Sequence, residues 1–286
     1  MKLIRVGPPG EEVPAMIAPD GDLRGLSDHI KDLNGETISP AGLSLIAGLD
    51  WKKLPKLDKS LRIGPCVSRP INFVCIGLNY ADHAAETNSP IPTEPIFFLK
   101  SPSAYSGPND NIVIPRGMNK LDWVQLGVVI GSTARYVSEA GAMDKVAGYC
   151  VVNDVSEREY QLERGSQWTR GKSCDTFGPT GPWLVTKDEV PNPGALEMWT
   201  YLDGVRMQHG NTRTMVFSVA RIVSFISEIF TLHPGDIIAT GTPPGVGMGK
   251  KPHPIFARPE QMLEAGIEKL GVQTHQVKAS PYASAA

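Results

Sequence analysis

A β-rich α+β fold is predicted here by three observations. Short apolar runs of strand length recur along most of the chain, each bounded by Gly, Pro or Asp. Gly (29) and Pro (25) are abundant among the 286 residues, which favours many turns over a helical bundle. One pronounced helical stripe, Val219, Ile222, Val223 and Ile226, stands out from this background. A chain of this length holds one large domain, or one large and one small. It buries enough apolar surface to fold without disulfides or a structural metal.

Residues 1–68 read as a small N-terminal α+β domain and linker. Met1 to Val6 is a first strand broken by Pro8, and Asp20-Gly21 is a hairpin turn between Met16-Ile-Ala and Leu23-Arg. Leu26, Ile30 and Leu33 recur at helical spacing, with Gly35 as the stop. Trp51 to Lys59 is rich in Lys and Pro and reads as a linker. Residues 69–280 are strand-dense, with runs at Phe73–Ile76, Ile112–Ile114, Leu126–Ile130, Tyr149–Val152 and Trp183–Val185. Asp203-Gly204 joins two alternating runs, the clearest hairpin in the chain. The helix that follows is capped by Ser218, and Pro234-Gly235-Asp236 leads into the strand Ile237 to Ala239. Residues 281–286 are small and polar and are expected to fray.

Formal net charge is -2 and the basic residues are scattered, so neither nucleic acid nor an anionic membrane is an expected partner. No apolar run reaches spanning length, and Met1 to Pro8 has no signal-peptide core; a cytoplasmic protein is expected. Cys66, Cys75, Cys150 and Cys174 have no zinc spacing and are expected as buried, reduced thiols.

Four blocks can carry chemistry. In G-L-N-Y-A-D-H-A-A-E, Gly77 to Glu86, a helical turn would set His83 beside Glu86, and an imidazole so placed can take a proton from water near neutral pH. In N-D-V-S-E-R-E-Y-Q, Asp154 ends an apolar strand, with Arg158 and Gln161 on one side of a following turn. That set could hold a cation and an anionic substrate, or be a helix cap with a surface Arg. In G-K-S-C-D-T-F-G-P, Lys172 could stabilise an enolate, or be a solvated loop residue. In T-G-T-P-P-G-V-G, backbone N–H groups and the Thr242 hydroxyl could grip a carboxylate. A phosphate loop is excluded there, because Pro244 and Lys251 break the spacing. His29 is expected on a helix surface, and His209, His233, His253 and His275 in loops or at the surface.

Taken in this order, from about Gly77 to Lys278, the blocks resemble the fumarylacetoacetate hydrolase family, in its branch of acylpyruvate and 2,4-diketo-3-deoxy sugar acid hydrolases. The resemblance implies a mixed β-roll and a homodimer. It implies a catalytic His83–Glu86 dyad on a lid helix, an active-site Lys172, and substrate contacts from Arg158, Gln161 and Thr242. It also implies Mg²⁺ or Mn²⁺ on Asp154, helped by two glutamates of a strand reading roughly L-D-W-E-V-E-L. Here that strand reads Leu121-Asp-Trp-Val-Gln-Leu126: one residue is missing and both glutamates are absent. Gln125 and Asp122 are the remaining candidate ligands. They differ in strand parity, so a bulge is needed to bring both to one ion, and metal affinity is expected to fall.

The function expected is metal-dependent hydrolysis of a C–C bond in a 2,4-diketo acid, giving pyruvate and a second acid. Oxaloacetate decarboxylation and enol–keto isomerisation would use the same enolate. The altered strand also admits a non-catalytic roll that binds a keto acid or a partner protein.

Overall fold

The computed structural model describes residues 1–122 and 125–282. Trp123, Val124 and the tail from residue 283 onward, part of the expected frayed end, lie outside the described residues.

Nine strands form one large sheet, in the order Leu23–Gly25, Val13–Ile17, Lys2–Val6, Leu184–Thr186, Val146–Val152, Gln125–Ile130, Ile237–Ala239, Phe73–Gly77 and Ile96–Leu99. A second sheet of five runs Val205–Asn211, Glu197–Leu202, Met262–Ile267, Gly271–Lys278 and Ile112–Val113. Most neighbours are antiparallel, but Ile237–Ala239 lies parallel to Phe73–Gly77, which makes the large sheet mixed. The N-terminal unit is not a separate sheet: Leu3 pairs with Leu184, so the large sheet continues across that boundary.

Strand alternation explains the two cores. Val74, Ile76, Val128 and Ile130 point to one face, where they meet Met198, Leu263 and Ile267 of the second sheet and Ile222 and Ile226 of the helix Val219–Ile229. Phe73, Cys75 and Val129 point to the other face, which Leu26, Leu33, Ile38 and Ile46 of the N-terminal unit cover. Asp236 clamps the parallel pair at its start: its carboxylate accepts from Asn72 N, Asn72 Nδ2 and His233 N, each at 2.7 Å. The Asp203-Gly204 hairpin and the Ser218 cap form where the sequence predicts them.

Three expectations are corrected. Leu26, Ile30 and Leu33 are buried but lie in turns, because Asp32 and Asn34 bond the nearby backbone and Thr37 closes the loop. The helix of this unit is Pro40–Ala47, capped by Ser39. His275 is not at the surface: it is fully buried in Gly271–Lys278, with Nδ1 2.7 Å from the Asp110 carbonyl. Cys174 is half-buried, whereas Cys66, Cys75 and Cys150 are buried, and all four are free thiols.

Candidate active site

The site forms at the C-terminal end of the parallel pair. Phe73–Gly77 leads into Leu78 and the short helix Ala81–Glu86, and Ile237–Ala239 leads into Gly241 and Thr242. The antiparallel neighbours begin or end at the same level, since Gln125 pairs with Val152, two residues before Asp154. Side chains from six separate segments therefore converge on a cavity of about 60 Å³ whose wall includes His83, Arg158, Gln161, Lys172, Gln125 and Thr242.

The helix Ala81–Glu86 brings the dyad together as the three-residue spacing predicts. His83 Nδ1 lies 3.2 Å from Glu86 Oε2. Both oxygens of the Glu86 carboxylate accept from Gly245 N, Oε1 at 2.9 Å and Oε2 at 3.0 Å. Gly245 has a φ of +100°, and a Cβ there would sit 2.2 Å from the Met207 carbonyl, so only glycine allows this approach. With Nδ1–H donated to Glu86, Nε2 is the ring nitrogen left with a lone pair. Burial lowers the His83 pKa, against the raising contact of Glu86, which favours the neutral ring.

Asp154 lies beyond the strand Val146–Val152, fully enclosed between two lysines. Lys172, at the end of the helical turn Thr169–Lys172, donates to Oδ2 at 2.5 Å. Lys100 Nζ lies 2.7 Å from Oδ1. Its three N–H groups go to the carbonyls of Val155, Lys172 and Phe177, so its hold on Asp154 is one of charge. Burial opposes ionisation of Asp154, but the two ammonium groups outweigh it and hold its pKa below the usual range. Burial pulls Lys172 down to about 8 despite the carboxylate beside it.

Asp122 pairs with the second cation of the wall, Arg158. It accepts from Arg158 Nε and Nη2 at 3.0 and 2.9 Å, and from Gly247 N at 2.7 Å. Arg158 in turn donates to Gln161 Oε1 at 2.8 Å, which sets both side chains on the cavity wall. Gln161 sits on a π-helical turn, Glu159–Glu163, rather than on the regular helical turn expected after Asp154. Thr242 lines the cavity with its hydroxyl accepting from Gln208 Nε2 at 2.8 Å.

Several sequence expectations change here. The glycine-rich turn does grip carboxylates through its N–H groups, but they are the protein's own Glu86 and Asp122. Gln125 is no metal ligand in this arrangement: its Oε1 accepts from Gly241 N at 2.8 Å, and its Nε2 faces Asp154 Oδ2 at 2.7 Å. Asp122 is likewise held by Arg158 and backbone amides. No group of three His, Cys, Asp or Glu side chains that could hold an ion occurs among the described residues. A divalent cation wants several anionic oxygens, whereas Asp154 already faces two ammonium groups. The residues present do not fit the implied Mg²⁺ or Mn²⁺.

Lys100 was not foreseen. It directly ends the apolar run Ile96–Leu99, and a charged residue at a strand end before Ser101-Pro102 is the one local signal it leaves.

Comparison with known proteins agrees with this architecture. The family profile described as fumarylacetoacetate (FAA) hydrolase C-terminal matches residues 72–278. A protein of Burkholderia multivorans, provisionally designated a hydrolase, is 56% identical over 281 residues, covering 98% of this chain and 100% of that one. A fumarylacetoacetate hydrolase from Exiguobacterium antarcticum superposes with a TM-score of 0.83 at 33% identity, over 98% of this chain and 100% of its own. Maleylpyruvate hydrolase from Sphingobium sp. SYK-6, solved with manganese(II) and pyruvate, gives 0.81 at 26% identity, over 98% and 100%. No helix among the described residues is long and apolar enough to cross a membrane.

Proposed function

The chain belongs to the fumarylacetoacetate hydrolase family, and on that premise we propose that it hydrolyses a C–C bond of a 2,4-diketo acid such as an acylpyruvate. The observation that carries this reading is the His83–Glu86 dyad at a cavity that Lys172 and Arg158 also line.

The substrate carboxylate and 2-keto oxygen would lie against Arg158, Gln161 and Lys172, with Thr242 completing the hold. His83 takes a proton from water through Nε2, and the resulting hydroxide adds to the C4 carbonyl. Glu86 fixes the tautomer and stabilises the imidazolium. The tetrahedral adduct collapses by breaking C3–C4. The released acid keeps the new oxygen, and the bonding pair passes to C3 as the enolate of pyruvate. Lys172 and Arg158 stabilise that enolate, and the proton held by His83 returns to C3. Water is consumed and one proton is released by the second acid, so the step balances.

The pyruvate complex of the Sphingobium relative is consistent with an oxo-acid in this pocket, as the keto-acid partner expected from sequence. We infer a homodimer from the family resemblance alone. The test is pyruvate release from a panel of acylpyruvates, followed with lactate dehydrogenase. Turnover that disappears in His83→Ala is the expected result. Hydrolysis that persists in that variant would remove water activation from the dyad.

A further inference from the structure

The cavity wall carries charge of one sign. Among its described lining residues, the charged side chains are Lys172 and Arg158, and the carboxylates Asp154 and Asp122 pair with them from behind. An ion entering the cavity would meet the Lys172 ammonium and the Gln125 amide hydrogens before it met Asp154. An anion would meet two donors whose charge is already fixed in place. Lys172 is fixed by Asp154 at 2.5 Å, and Arg158 by Asp122 and Gln161.

Lys100 completes the device. Its side chain is fully buried, and it does not line the cavity. Its bond to the Lys172 carbonyl at 2.6 Å fixes the end of the turn that carries Lys172. Its charge beside Asp154 Oδ1 leaves the Lys100–Asp154–Lys172 triad with net charge +1 once the carboxylate is ionised. The triad therefore keeps one unbalanced positive charge, which favours an anionic oxo-acid beside Lys172.

We propose that Lys172, positioned by Asp154 and Lys100, supplies with Arg158 the positive charge that a divalent ion would otherwise bring, so that this chain binds a small α-oxo acid without a metal. The proposal rests on the oxo-acid reading above and deepens it. Lys100 is a positioning residue, and Lys172 is the group that touches the ligand.

The test uses the full chain after chelation and dialysis, with oxalate as the probe because it resembles the enolate of pyruvate. Calorimetry is expected to show one oxalate site per chain, with an affinity that, referred to free oxalate after its complexation by Mn²⁺ is subtracted, is unchanged by the metal. Electron paramagnetic resonance is expected to show that Mn²⁺ alone stays free in solution at the same protein concentration. Lys172→Met should lose oxalate affinity by about tenfold or more, and Lys172→Arg, which keeps the charge, should retain part of it. Oxalate binding that requires Mn²⁺, a stoichiometric Mn²⁺ site in the wild-type chain, or undiminished binding by Lys172→Met would each overturn the proposal and leave the oxo-acid reading standing. Absence of oxalate binding both with and without Mn²⁺ would overturn the two together. The wild-type titrations do not depend on whether a variant folds.

Discussion

Replacing Glu86 by Gln removes one charge from the dyad while keeping its shape. The glutamine carbonyl can still accept from Gly245 N, which Glu86 now does at 2.9 Å. What is lost is the attraction between the carboxylate and the imidazolium that forms as His83 takes a proton. At the observed 3.2 Å, that attraction is about 5 kcal/mol for an effective dielectric near 20. Glu86 is 22% exposed and already bonded to Gly245, which lowers the effective loss to about 3–4 kcal/mol. The turnover rate should fall roughly 100- to 1,000-fold. The pH profile gives a second readout. Burial lowers the His83 pKa and Glu86 raises it, so removing the carboxylate lowers it further. The acid limb of kcat/KM, where activity is lost as pH falls, should therefore move to lower pH in Glu86→Gln. Stopped-flow or coupled assays from pH 4 to pH 8 on an acylpyruvate would measure both effects. A plateau rate within a few-fold of wild type, or an acid limb that moves upward, would refute the assigned role.

Other outcomes follow from the same geometry. Gly245→Ala should lower activity at least tenfold and destabilise the fold, because its Cβ would press on the Met207 carbonyl and push the turn away from Glu86; paired rate and urea measurements check it. Asp236→Ala should cost about 2–4 kcal/mol in urea unfolding, since three buried or half-buried N–H groups lose their acceptor. Trp168→Ala should alter KM among acylpyruvates of different chain length more than kcat, because the Trp168 ring packs on Phe98 and Gly77 at the cavity wall; steady-state kinetics on a chain-length series checks it.

Much of the fold was legible because strand alternation and turn chemistry act locally. Asp203-Gly204, Ser218 and the run Phe73–Ile76 each specify their own conformation. The two last strands, Met262–Ile267 and Gly271–Lys278, escaped the sequence reading. The buried face of Gly271–Lys278 uses Gln273 and His275 in place of apolar residues, and those side chains find carbonyl partners only in the folded chain. The Leu26–Leu33 spacing misled for the opposite reason: the apolar period is present, but Asp32 and Asn34 hold the backbone in turns.

The site divides in the same way. His83 and Glu86 are a local pair and could be read from spacing alone. Lys100 meets Asp154 and Lys172 from 54 and 72 residues away in sequence, so only the sheet brings them together. The strand that lacks its glutamates is where the resemblance and the geometry part. Its residue Gln125 bridges Gly241 and Asp154, and Asp122 anchors Arg158, so both serve as supports for a cationic wall.

The proposed hydrolysis requires water to add to the C4 carbonyl and C3–C4 then to break. Turnover of an acylpyruvate in H₂¹⁸O, followed by mass spectrometry, tests it most directly. One solvent ¹⁸O is expected in the carboxylate of the released acid for each pyruvate formed. Consumption of the substrate with no acid released, as in an enol–keto exchange, would contradict it.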